Sequence, residues 1–112
     1  MQLSGTETAR NLMRAFAGEC QAHTRYLLAA KTATAQQLPI LRQVFKFTAK
    51  QELTHAQLFM QRMQQGGLTE VALNAAYPLD PADDLCAILS AARDHEFHEA
   101  NEVYPAFAEI AA

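Results

Sequence analysis

Phe45-Lys46-Phe47-Thr48-Ala49-Lys50-Gln51-Glu52-Leu53-Thr54-His55-Ala56 sets a carboxylate and an imidazole three residues apart inside a helical pattern. Leu41, Phe45, Thr48, Glu52, His55, Phe59 and Met63 recur at steps of three and four, the spacing of one helix face. Pro39 suits the first turn of this helix, where a missing N–H costs little, and Gly66-Gly67 suits its stop. The step from Glu52 to His55 places both side chains on adjacent turns, able to hold one metal between them.

Upstream, a first helix is expected from about Thr6 to Ala35. Ser4 and Glu7 have capping-box spacing, with Thr6 as a competing N-cap. Leu12, Phe16, Glu19, His23, Tyr26 and Ala30 then mark one face. Downstream, Leu68–Leu79 has no clear period and exceeds the length of a tight helix hairpin, so it suits a crossover between the ends of a bundle. Asp80-Pro81 reads as the N-cap and first turn of a third helix, with Asp83 and Asp84 suited to the positive end of its dipole. Leu85, Ile88, Ala92, Glu96, Glu99, Val103, Phe107 and Ile110 mark the face of that helix. Pro105 lies inside this pattern and predicts a kink near Asn101–Glu102, because its ring displaces a backbone hydrogen bond. No strand-like alternation competes. The expected fold class is all-α, a helical bundle with three long helices.

At 112 residues, half of them hydrophobic, the chain fits one domain, taken as residues 1–112. A net charge of −3 with no basic cluster argues against nucleic acid as a partner. No window approaches the roughly 18 uninterrupted apolar residues of a membrane span. Met1-Gln2-Leu3-Ser4-Gly5 lacks the features of a signal peptide, so a cytoplasmic protein is expected. Cys20 and Cys86 belong to no Cys-x-x-Cys pair and are expected to be small buried hydrophobes rather than zinc ligands.

The informative feature is where the acids sit. Glu19, Glu52, and the pair Glu96 and Glu99 interrupt the apolar stripes of the three helices. Burying an ionised carboxylate without a partner costs several kcal/mol, about 3 or more. Few of the nine Lys and Arg fall on these stripes to compensate. Helical bundles use Glu-x-x-His units with further Glu residues to hold di-iron or di-manganese centres. Carboxylate oxygens with imidazole suit iron or manganese. A lone Glu-x-x-His is weak, and Glu52 paired with a basic residue is the bland reading. Four carboxylates on three stripes, one with a histidine partner, are much less easily explained by chance. His23 reads as a neighbour of the ligands or a partly exposed residue, and His95 and His98 as surface groups. Tyr26 and Tyr104 read as packing residues, and Met60 and Met63 as core fillers.

Gly5-Thr6, Asn11-Leu12, Ala15-Phe16-Ala17-Gly18-Glu19-Cys20-Gln21-Ala22 and Arg25-Tyr26 together resemble the first helix of rubrerythrins. Phe45, Thr48-Ala49, Glu52 and His55-Ala56 resemble the second helix of that family, and His95-Glu96-Phe97-His98-Glu99 with Tyr104-Pro105 and Phe107-Ala108 the third. The resemblance implies a ferritin-like bundle in which Glu19, Glu52, His55, Glu96 and Glu99 are iron ligands. It makes Glu52 a bridging ligand. It also implies that the Glu99 and His55 positions alternate as ligands when iron changes oxidation state. Manganese or zinc are the expected substitutes for iron.

Two features of the family are missing from this chain: the rubredoxin domain, with its two Cys-x-x-Cys pairs, and the second Glu-x-x-His of the fourth helix. Five of seven expected ligands remain. Three readings are open: a C-terminally truncated chain; a homodimer, by association or swapping, that completes a four-helix bundle; or a scaffold that has lost its metal. A homodimer is expected under each, because open apolar stripes associate. The implied function is reduction of hydrogen peroxide to water by a non-haem di-iron oxidoreductase, with Glu19, Glu52, His55 and Glu99 at the reacting centre. Its electrons would come from a rubredoxin-like or flavin donor, in defence against oxidative stress. The rival readings are ferritin-like iron oxidation and storage, and a metal-free helical interaction module.

Overall fold

The computed structural model describes residues 2–77, 79 and 84–111, with the side chains of residues 95–97 left aside. It is helical throughout its regular structure, with no strand among the described residues. Helix α1 spans Glu7–Ala35 and α2 spans Pro39–Gln65. Helix α3 spans Leu85–His98, a π turn follows at Glu99–Val103, and α4 spans Tyr104–Ala111.

Thr6, not Ser4, caps α1: its hydroxyl oxygen accepts from the Ala9 N–H at 3.1 Å. The same hydroxyl donates to the Leu3 carbonyl at 2.6 Å, which leaves no role for a Ser4 box. Pro39 stands in the first turn of α2 as expected. The two long helices end in the same way. The Leu38 N–H reaches back to the Ala33 carbonyl and the Gln37 N–H to that of Thr34; at the end of α2, Leu68 and Gly67 do the same to Met63 and Gln64. This six-to-one and five-to-two pairing needs a left-handed residue, and Gly67 supplies it at φ 79°. Gln37 supplies it at φ 60° and bears the strain of a side chain in that region. Gln37→Gly is therefore expected to stabilise the chain by about 0.5 kcal/mol, the relieved strain less the entropy glycine costs, or about 2–4 °C in Tm. Thermal melts followed by circular dichroism check this, and a lowered Tm would contradict the assigned turn.

The short turn at Gln36–Leu38 folds α2 back along α1 as an antiparallel hairpin. Ala22, Ala29, Ala30 and Ala33 of α1 are buried, and their small side chains let Phe45 and Ala49 of α2 approach closely. Tyr26 stacks on Phe45 with ring centroids 6.3 Å apart. Leu85 and Ile88 of α3 close this core, which occupies the half of the hairpin nearest its turn. The metal-type residues lie beyond it, toward the open end.

Three expectations shift. Asp84 caps the third helix, accepting from the Ala87 N–H at 3.1 Å; the expected cap at Asp80-Pro81 and the acid at Asp83 lie outside the described residues. Pro105 disturbs its helix where expected, but the disturbance is a π turn, with the Tyr104 N–H bonded to the Glu99 carbonyl five residues back. That extra residue rotates the face beyond it, so Tyr104 turns inward beside Phe107, which keeps its expected place, and Ile110 is exposed. Met63 is buried but Met60 is exposed, and Cys86 lies at the surface rather than in the core. No described helix is long and apolar enough to cross a membrane.

Candidate metal centre

Glu19 projects from the middle of α1 and Glu52 from the middle of α2, each into the seam between the helices. They are 4% and 5% exposed, so both carboxylates have lost nearly all contact with solvent. His55 stands one turn beyond Glu52, with half of its ring surface open. Its Nδ1 lies 3.5 Å from Glu19 Oε2 and 3.9 Å from Glu52 Oε2. One ligand atom from each of the three falls within 4.8 Å of the others, and this is the cluster of metal-ligating type found among the described residues.

Two buried carboxylates in so small a space repel each other, and low polarity around them strengthens the repulsion. Glu19 Oε2 is buried without a hydrogen-bond partner. A buried acceptor left in this condition costs roughly 1–3 kcal/mol, more when charged. A divalent cation between Glu19, Glu52 and His55 would remove both the repulsion and the orphaned acceptor. Two hard oxygens and an imidazole nitrogen match iron or manganese, so the donor set fits the metal implied by the sequence.

The other oxygen of Glu19 is held. The Tyr104 hydroxyl donates to Glu19 Oε1 at 2.8 Å, across the space between α4 and α1. Burial first, and then the bond to Glu19, push the Tyr104 phenol far above its ordinary range, and the negative charge of Glu99 adds to the effect. The proton therefore stays on the phenol, which fixes Tyr104 as donor. Phe59 of α2 and Phe107 of α4 flank its ring at centroid distances of 6.0 and 6.1 Å.

The sequence-predicted residues thus divide. Glu19, Glu52 and His55 converge. Glu99 lies on the π turn and lines a cavity of about 370 Å³ with Gly18, Tyr77 and Tyr104, beside the cluster rather than in it. The Glu96 side chain lies outside the described residues, as does that of His95. His23 Nδ1 is 2.7 Å from the Ala49 carbonyl, so this nitrogen ties α1 to α2 instead of facing the cluster. His98 pairs with Glu102 at 2.7 Å on the surface, as expected. Burial, and then the charge of Glu19, raise the Cys20 thiol above its ordinary range, which disfavours a reactive thiolate. Tyr104 is the participant that spacing missed. It follows Glu99 by five residues, a step that shares a face only across a π turn, and Pro105 was the available signal of one.

Comparison with known proteins gives the family. The rubrerythrin family profile matches residues 10–112. Rubrerythrin of Clostridium perfringens is 40% identical over 112 residues, covering 97% of this chain and 56% of that protein. Rubrerythrin of Nitratidesulfovibrio vulgaris is 38% identical over 109 residues, covering 97% and 56%. Nigerythrin of the same organism is 35% identical over 104 residues, covering 89% and 48%. The chain spans about half the length of these curated relatives. No solved structure matches it significantly. A helical hairpin that buries two acids beside a histidine, matched by one family profile across nearly all of its length, belongs to the rubrerythrin family.

Proposed function

We propose that the chain carries a di-iron site of rubrerythrin type and reduces hydrogen peroxide to water. The observation that carries this reading is the buried Glu19–Glu52–His55 cluster with its unpartnered Glu19 oxygen. Glu19 and Glu52 would hold the metal and neutralise its charge, with Glu52 as the shared ligand, and His55 would add a nitrogen. Glu96 and Glu99 would complete the acid set from the third helix. The iron pair supplies, when bound, the two electrons that peroxide needs, and each peroxide takes up two protons to leave as two waters. The seam around Glu19 and Glu52 keeps bulk water from these acids. The exposed side of His55 leaves its ring room to move, which supports the exchange of His55 and Glu99 as ligands. A separate rubredoxin-like or flavin protein in the cytoplasm would return the electrons.

A second copy of the chain is part of this reading. Ile40, Val44, Phe47 and Leu58 are exposed along α2 at helical spacing, on the side where His55 opens. Such a stripe favours association, and a partner there reaches the open side of the cluster. The test is anaerobic loading with ferrous iron, followed by metal analysis, mass in solution and a peroxide titration. Iron should be bound by a dimer and oxidised with about one peroxide consumed for every two ferrous ions, as two-electron arithmetic requires. A chain that binds iron and stays ferrous under peroxide defeats the proposed reaction, and a loaded monomer defeats the dimer.

A further inference from the structure

Glu19 is bonded asymmetrically. Its Oε1 accepts from the Tyr104 hydroxyl at 2.8 Å, while its Oε2 has no hydrogen-bond partner and lies 3.5 Å from His55 Nδ1. A glutamate side chain has several rotamers, and one that must meet a metal is useful only when its head group is aimed. We propose that Tyr104 is a positioning residue for the metal centre: its phenol holds Glu19 Oε1 and so turns Oε2 toward Glu52 and His55. The role rests on the metal reading given above.

The surrounding structure is built to keep the phenol in place. Tyr104 begins α4 directly after the π turn, and its N–H is bonded to the Glu99 carbonyl. In an uninterrupted α-helix, residue 104 would point well away from the face that carries residue 99. The extra residue of the π turn brings both to the same side, where Glu99 and Tyr104 line one cavity. Phe59 and Phe107 pack on the ring from α2 and α4 and limit its rotation. The hydrogen bond spans 85 positions of sequence, so it also fixes α4 against α1 at the level of the acids. Groups that hold a ligand carboxylate from behind typically change metal affinity by about 10–100-fold when removed.

The experiment uses cobalt(II) as the probe, because its visible ligand-field bands report coordination as well as occupancy. Tyr104→Phe keeps the ring and removes the hydroxyl. It should weaken cobalt binding about tenfold or more and alter the shape of the bands at full loading. In a Glu19→Ala background the same substitution should have a much smaller effect on affinity, since Tyr104 acts chiefly through Glu19 and only secondarily beside Glu99. Equal affinity and unchanged bands in Tyr104→Phe overturn the proposal, as does an effect that is undiminished without Glu19. A wild-type chain that takes up no cobalt overturns the metal reading and the positioning role with it, an outcome distinct from both.

Should Tyr104→Phe lose its helical circular dichroism, a second measurement decides. The chain has three tyrosines and no tryptophan, so Tyr26→Phe with Tyr77→Phe leaves Tyr104 as the near-ultraviolet reporter. Cobalt should draw charge from Glu19, weaken the bond from the phenol and shift this absorption to the blue. Loading without any shift overturns the proposal.

Discussion

Glu52→Ala abolishes the binding of two irons per site, the largest functional effect expected in this chain. Glu52 is the ligand that the family resemblance places between the metals, and it is 5% exposed in the seam where Glu19 and His55 converge. Truncation leaves Glu19 and His55 with no second acid from α2. The thermal signature separates this loss from unfolding. Wild type should gain stability with iron, by about 2.7 kcal/mol at a hundredfold excess over Kd, or about 10 °C in Tm. The variant should melt at the same temperature with and without metal. Its metal-free Tm should lie close to wild type, because the substitution also removes one of two buried like charges. Metal analysis and calorimetry check both halves. Unchanged iron stoichiometry in Glu52→Ala would remove Glu52 from the site.

The residues of the cluster were legible in the sequence because each violates a pattern. An acid within an apolar stripe is a cost that needs a reason, and Glu19 and Glu52 show that cost through spacing alone, while His55 stands out by its three-residue step from Glu52. The helix ends were legible for the same local reasons: Pro39, Gly66-Gly67 and Thr6 act over one turn of chain. What escaped depends on changes of period or on distant partners. The stripe Val103–Phe107–Ile110 assumes an uninterrupted helix; one π turn adds Tyr104 to the inward side with Val103 and Phe107, and Ile110 is left exposed. Met60 and Cys86 have the composition of core residues, but the packed helices reach neither. His23 follows Glu19 by one turn and looks like a ligand candidate, yet its Nδ1 meets the Ala49 carbonyl on the facing helix. No local rule contains that pairing, since it depends on the register of α2 against α1.

Phe45→Ala is expected to cost about 3–5 kcal/mol, the largest effect on folding. Phe45 is 1% exposed and is the large side chain that the hairpin buries completely among its described residues. It stacks on Tyr26 and sits among alanines that cannot move far enough to fill its space. Small domains are stable by only about 5–15 kcal/mol, so the loss takes a large part of the total. Phe47→Ala is the matched control. Phe47 lies two residues away and is 63% exposed, so its removal should change stability by about 0.5 kcal/mol or less in the monomer. Urea or thermal melts of the two variants, followed by circular dichroism, measure the contrast. Equal costs would mean that α2 is rotated on α1, and that rotation would also carry Glu52 out of the seam. Glu52 lies seven residues beyond Phe45 on the same buried face, so the packing of Phe45 sets the register that aims the acid. Iron affinity should therefore fall in Phe45→Ala although no ligand has changed.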